Sequence, residues 1–256
     1  MKLRVLGAFG SAGIDQKPSA FLVNDRVLVD AGTVAGALTV PEQLAIEHAV
    51  ISHAHLDHIV GLAFLTDTLS SCGEERSVMV TGIAPVVDAL REGVFNNVVW
   101  PNFAAIPSPQ APVVRYRTLA EDTAQKVADL WVTPVSVSHS VPATGFIVQD
   151  GGGRGFVYSG DTGPTDALWR ATREHRGLGA VVLECAFPNR LGTLAERSRH
   201  MTPALIEREL DKLPPDVPVW IFHVKPPFYE ETAEELSRLA AAERIVILEQ
   251  DKIYSV

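Results

Sequence analysis

The sequence predicts one α/β domain over residues 1–256, built as a four-layer α/β/β/α sandwich. Three observations predict it. Short apolar runs of strand character fall into two groups, one in each half of the chain. Helical stretches sit between and after those runs. No internal repeat, low-complexity tract or linker divides the chain. With 46% hydrophobic and 21% charged residues the composition is that of a globular protein, and a chain this long buries enough surface to fold without staples.

The elements follow in order. Lys2–Leu6, Ala20–Val23 and Arg26–Asp30 open the first group, with Asn24-Asp25 as a tight turn between two of them. Ala49–Ser52 is a short buried strand ending at a histidine, and Ser77–Thr81 is another, followed by a helix over Ala84–Glu92. Trp100–Pro112 holds four prolines and no periodicity, so it reads as a loop and a candidate site wall. Val113–Arg117, Leu130–Ser138, Gly145–Gln149 and Gly155–Ser159 form the second group, two of them joined by the turn Asp150-Gly151-Gly152-Gly153. A helix over Thr165–His175 and the strand Ala180–Leu183 come next. Thr202 is a plausible N-cap and Pro203 a first helical residue, opening a helix to Lys212. Val217–Phe222, a helix over Glu230–Ala242 and the strand Ile245–Leu248 close the second sheet.

The chemistry concentrates at strand ends. Ile51-Ser52-His53-Ala54-His55-Leu56-Asp57-His58 puts three imidazoles and a carboxylate within six residues. Histidine is the commonest metal ligand, and alternate residues leaving a strand project to one side. Asp57 and His58 then fall on the following turn, where they can face a second ion. His139, Asp161 and His223 each follow an apolar strand, which delivers them to the loop mouths where sites concentrate.

In this order and over nearly the whole chain, these residues resemble the ligand motifs of metallo-β-lactamase-fold hydrolases. The resemblance implies one ion held by His53, His55 and His139, and a second by Asp57, His58 and His223. Asp161 would bridge them, and a hydroxide would bridge on the open side. Asp30 matches the superfamily's early strand-end aspartate, whose role is to hold a ligating histidine by its other ring nitrogen. Zinc is the first expectation, with manganese and iron as options.

A narrower similarity names a substrate. His53–Leu62, Tyr158–Pro164, Glu184–Asn189, His200-Met201-Thr202-Pro203 and His223-Val224-Lys225-Pro226 resemble stretches of class II cyclic nucleotide phosphodiesterases, although Ala63–Thr66 departs from that signature. The implied activity is hydrolysis of 3′,5′-cyclic nucleotides to 5′-monophosphates, with Asp57 and His200 in catalysis. His200 would protonate the leaving alkoxide or stabilise phosphoryl charge. Asn189 and Lys225 are candidate substrate contacts, Lys225 being equally a solvated side chain. Phe103, Phe187 and Phe228 either stack on a base or pack. Gly7–Gly13 could cradle a phosphate or simply connect two strands. The alternatives are a tRNA 3′-processing endonuclease of RNase Z type and a lactone or other carboxylic-ester hydrolase.

Charge narrows the partners. The formal net charge is −9, and two divalent cations still leave it acidic, whereas a protein that grips a phosphate backbone is usually basic. A small phosphodiester is therefore expected, with no nucleic acid and no membrane; a homodimer is compatible. Cys72 and Cys185 make no disulfide framework, and with no secretory or membrane-spanning run the expected compartment is the cytoplasm.

Overall fold

The computed structural model describes residues 1–72 and 76–256. In the first half, strands β1 (Lys2–Gly7), β2 (Ala20–Val23), β3 (Val27–Ala31), β4 (His48–Val50) and β5 (Val78–Gly82) precede a small hairpin, β6 (Pro107–Ser108) and β7 (Ala111–Pro112), and then β8 (Val114–Thr118). The second half contributes β9 (Gln125–Val127), β10 (Leu130–Ser136), β11 (Thr144–Gln149), β12 (Gly155–Tyr158), β13 (Leu178–Glu184), β14 (Val219–Phe222), β15 (Ile245–Ile247) and β16 (Ile253–Ser255). Two seven-stranded sheets result, ordered β16-β1-β2-β3-β4-β5-β8 and β15-β14-β13-β12-β11-β10-β9.

Both sheets are built the same way. β1, β2 and β3 run antiparallel, and β3, β4, β5 and β8 then run parallel. β9 to β12 are likewise antiparallel, and β12 to β15 parallel. The Asn24-Asp25 turn forms as expected, both residues at positive φ (48° and 59°), which these two residue types tolerate. β16 was not legible in the sequence; it leaves the second sheet and adds to the edge of the first beside β1.

The helices are α1 (Val40–Leu44), α2 (Leu56–Ser71), α3 (Ala84–Ala89), α4 (Asp166–Glu174), α5 (Gly192–Ser198), α6 (Pro203–Leu210) and α7 (Tyr229–Ser237). Among the described residues, the three largest apolar cores separate four layers. One fills the space between the sheets, with Val5, Phe21, Val29, Phe146, Val148 and Phe222. A second lies under α2 and α3, with Ile59, Leu62, Leu65 and Val86, and a third under α4, α6 and α7, with Trp169, Ile206 and Leu236. The expected sandwich is the observed one. Among the described residues no helix is long and apolar enough to cross a membrane.

Some expectations need correction. The helix over Ala84–Glu92 is α-helical only to Ala89 and continues as a π-helical turn, Leu90–Val94. α2, the 16-residue helix after the histidine run, was missed. Its buried face is regular, but Val60 and Phe64 are apolar and exposed, which blurs the amphipathic signal. Trp100–Pro112 is mostly loop, yet Phe103 is buried in the core under α2 and α3, so it packs and does not stack on a substrate.

Candidate metal centre

The strands deliver their chemistry to one edge of the sandwich. Asp30 lies at the end of β3, His53 beyond β4, and His139 beyond β10; Asp161 follows β12, Glu184 ends β13, and His223 follows β14. His55 is the N-cap of α2 and Asp57 stands in its first turn, where the helix dipole favours a carboxylate. Asp30 and His223 both hold positive φ (54° and 68°), a strained conformation that gathers at functional sites. Gly10 makes room for this: a Cβ there would come within 2.7 Å of the His223 Nε2. The Gly7–Gly13 segment thus meets His223 at Ala8 and Gly10, with Gly10 N–H donating to the Val224 carbonyl at 3.2 Å.

All seven residues expected as ligands come together. His53, His55, His139 and Asp161 each offer a donor atom, all within 4.8 Å of one another, and Asp57, His58 and His223 form a second such group. Asp161, at 1% exposure, connects the two. Its carboxylate oxygens lie 3.1 Å from His58 Nε2, 3.2 Å from His223 Nε2 and 3.5 Å from His53 Nε2.

The outer hydrogen bonds decide which ring nitrogens face inward. Asp30 is fully buried and accepts from Ser52 N–H (2.7 Å), Ser52 Oγ–H (2.7 Å), Tyr158 O–H (2.6 Å) and His58 Nδ1–H (2.7 Å). Because Ser52 gives its only hydroxyl proton to Asp30, its oxygen accepts from His53 Nδ1–H at 3.0 Å. Ser19 donates to the Phe9 carbonyl and accepts from His223 Nδ1–H at 3.1 Å. His139 Nδ1–H donates to the Arg199 carbonyl at 3.3 Å. Four rings therefore turn an Nε2 lone pair toward the cluster, and His55 turns its Nδ1 to within 3.2 Å of His139 Nε2.

This arrangement fits a cation. Among the described residues, His53 Nε2, His58 Nε2, His223 Nε2 and Asp161 Oδ1 are buried without a hydrogen-bond partner, a costly state unless a positive ion satisfies them together. Burial pushes His139 down to about 3, drops His223 well below the usual imidazole range, and lowers His55 with help from His53. Neutral imidazoles are what a metal requires. Burial alone would lower His58, but Asp161 and Asp30 on either side hold it well above its usual value.

His200 is 7% exposed and stands beside the cluster, its ring 5.2 Å from that of His139 and 5.4 Å from that of His223. Its Nδ1–H donates to Glu184 Oε1 at 2.7 Å. Burial opposes the charge on this ring, yet the Glu184 carboxylate outweighs it and raises the pKa. His200, Asp161 and His223 also satisfy the spacing of a metal trio. Glu184 was not singled out in the sequence, although an ionisable residue ending an apolar strand is the same signal that marked Asp30. Ser19, Ser52, Tyr158 and Arg199 were missed as well, since nothing in a lone serine or tyrosine announces a partner across the fold.

The other candidates are placed as follows. Lys225 is not merely solvated: its Nζ donates to the Gly10 carbonyl and lies 3.6 Å from Asp57 Oδ2. Asn189 accepts from Ala204 N–H at 2.8 Å. Phe187 packs edge-on against His200 at 5.7 Å, and Phe228 lies beneath Arg190 at 5.4 Å.

Comparison with known proteins agrees with this architecture. A Yersinia pestis protein named as a probable 3′,5′-cyclic-nucleotide phosphodiesterase is 30% identical over 205 residues, covering 70% of this chain and 57% of that one. An Aliivibrio fischeri 3′,5′-cyclic-nucleotide phosphodiesterase is 27% identical over 242 residues, covering 78% and 71%. The chain thus spans little more than half the length of the first of these relatives. Unliganded yeast PDE1 shares the fold with a TM-score of 0.83 at 18% identity, over 98% of both chains. The profile of the beta-lactamase superfamily domain matches residues 25–246. With that match over most of its length, and with the two-sheet sandwich carrying a His/Asp cluster on one edge, the chain belongs to the beta-lactamase superfamily in its metallo-β-lactamase fold.

Proposed function

We infer that the protein is a metal-dependent phosphodiesterase that hydrolyses 3′,5′-cyclic nucleotides to 5′-monophosphates. The observation that carries this reading is the pairing of an inward-aimed His/Asp cluster with a carboxylate-backed histidine at its side. The names of the Yersinia and Aliivibrio relatives support the substrate. The acidic balance, with a pI near 5.4, favours a small phosphodiester over precursor tRNA.

His53, His55 and His139 would hold one divalent ion and Asp57, His58 and His223 a second, with Asp161 shared between them. Nitrogen-rich ligation suits zinc first, with manganese or iron compatible. When bound, such ions lower the pKa of water and neutralise phosphoryl charge. The remaining work belongs to the chain. Asp30, Ser52 and Ser19 hold the rings of His58, His53 and His223 in one tautomer and orientation. Lys225 places a positive charge 3.6 Å from Asp57 Oδ2, where it would meet a phosphate drawn to the cluster. Water adds to phosphorus, the bond to the 3′ oxygen breaks, and His200 supplies the proton which that departing alkoxide needs. Glu184 keeps the proton available on His200 and fixes the ring. The two free cysteines, one exposed and one buried, support a reducing compartment such as the cytoplasm.

A turnover panel tests the reading. The metal-loaded protein is expected to hydrolyse a 3′,5′-cyclic nucleotide and bis-(p-nitrophenyl) phosphate, and to leave a lactone and precursor tRNA unchanged. Cleavage of the tRNA without turnover of any cyclic nucleotide would transfer the site to an endonuclease.

A further inference from the structure

A cavity of about 310 Å³ adjoins the His/Asp cluster, with walls that include Ser11, Phe187, Lys225, Pro226, Pro227 and Phe228. Three contacts tie it to the side on which the donor atoms converge. Lys225 Nζ lies 3.6 Å from Asp57 Oδ2. The Phe187 ring stands edge-on to that of His200 at 5.7 Å. Gly10, which precedes Ser11 and whose carbonyl accepts from Lys225 Nζ, sits against His223 Nε2, the nitrogen aimed into the cluster. The volume is small for a whole ligand and suits one ring system of a larger one.

The wall is apolar and held in place. Pro226 and Pro227 fix a 3₁₀ turn over Pro226–Phe228, and Phe228 N–H donates to the Lys225 carbonyl at 2.9 Å. Residues three apart eclipse in such a turn, so Lys225 and Phe228 both reach the cavity. The Phe187 and Phe228 rings have centroids 6.2 Å apart and planes inclined at 50°, which makes a corner and not a slot. A flat group can lie on one ring and abut the edge of the other. Phe187 is 8% exposed and already packs against His200, whereas Phe228 is only partly buried. Phe228 is therefore the platform and Phe187 the end wall. Arg190, outside the wall, lies over the Phe228 ring at 5.4 Å and is itself paired with Glu231 at 2.9 Å. Apart from Lys225, the one polar side chain among the described wall residues is that of Ser11, and it is exposed. These side chains offer a stacking surface and a single cation, and no set of donors and acceptors that would match a base edge.

We propose that this cavity seats the base of the substrate on the Phe228 ring and leaves the base edge unread, with Lys225 meeting the phosphate. Stacking is tolerant because every base has a flat π face. The consequence is that adenine and guanine nucleotides bind alike. The proposal rests on the phosphodiesterase reading for the position of the phosphate.

Calorimetric titration of the metal-loaded protein with 5′-AMP, 5′-GMP and ribose 5-phosphate tests it without any turnover. The three ligands share ribose and phosphate, so their ratios report the base alone. Both nucleotides should bind about tenfold or more tighter than ribose 5-phosphate, and within about threefold of each other. Phe228→Ala should bring both down toward the affinity of ribose 5-phosphate, whose own binding stays unchanged, and Phe228→Tyr should restore the difference. Equal affinity for all three ligands in the unaltered protein overturns the proposal, and that comparison needs no variant. A nucleotide advantage that survives Phe228→Ala also overturns it, since the base then lies elsewhere. A difference of about tenfold or more between 5′-AMP and 5′-GMP does so too, since the edge is then read. The two readings separate cleanly. Hydrolysis of cyclic nucleotides with no nucleotide advantage in binding removes the stacking site and keeps the phosphodiesterase. A Phe228-dependent advantage in a protein that hydrolyses no cyclic nucleotide keeps the site and removes the phosphodiesterase.

Discussion

Asp161→Ala is expected to lose metal as well as activity. Asp161 is buried, and its two oxygens reach within 3.5 Å of three inward-facing histidine nitrogens that belong to both halves of the cluster. Its own ionisation is secured by the same arrangement. Burial alone would raise its pKa, but His223, His58 and His53 hold it well below the usual carboxylate range. Alanine removes the charge and leaves His53, His58 and His223 converging on a space with no anion between them. Elemental analysis should find close to two ions per chain in the unaltered protein and one or fewer in the variant. Loss of an outer hydrogen-bond partner alone costs a metal site about 10–100-fold in affinity or activity, so loss of a shared ligand should cost at least about 100-fold in rate. Full occupancy in Asp161→Ala, or a single ion in the unaltered protein, contradicts the two-ion assignment.

His200→Ala should do the opposite and keep both ions while losing rate. The two proposed ligand sets, with Asp161 shared, do not include His200, and its Nδ1 is committed to Glu184 at 2.7 Å. If it protonates the departing alkoxide, the rate on a cyclic nucleotide should fall by roughly 10²–10⁴. Bis-(p-nitrophenyl) phosphate is the internal control, because nitrophenolate leaves without a proton, and its hydrolysis should suffer far less. Equal losses on both substrates remove the general-acid role. Loss of an ion makes His200 a ligand, an outcome given weight by the spacing it shares with Asp161 and His223.

What could be read in the sequence was whatever local chemistry writes into neighbouring residues. Apolar runs with turn residues between them marked most strands of both sheets, and the His53–His58 run announced itself by density. His139, Asp161 and His223 were legible because each is an isolated ligand-type residue at the end of an apolar strand. The rest depends on contacts between distant segments. Tyr158 donates to Asp30 across 128 positions of sequence, and Ser19 meets His223 across 204. No local pattern carries such information. The shared build of the two sheets, antiparallel then parallel, was equally hidden, since strand direction comes from the connections and not from composition. Phe103 shows where composition stops: proline-rich surroundings mark a loop and leave stacking and packing equally open, and only the fold shows that its ring points into a core.

The most direct measurement is the product of cyclic nucleotide hydrolysis in ¹⁸O-labelled water. Water adding to phosphorus with departure of the 3′ oxygen should give the 5′-monophosphate, with one labelled oxygen on phosphorus. A 3′-monophosphate, or label found on the sugar, would contradict the account.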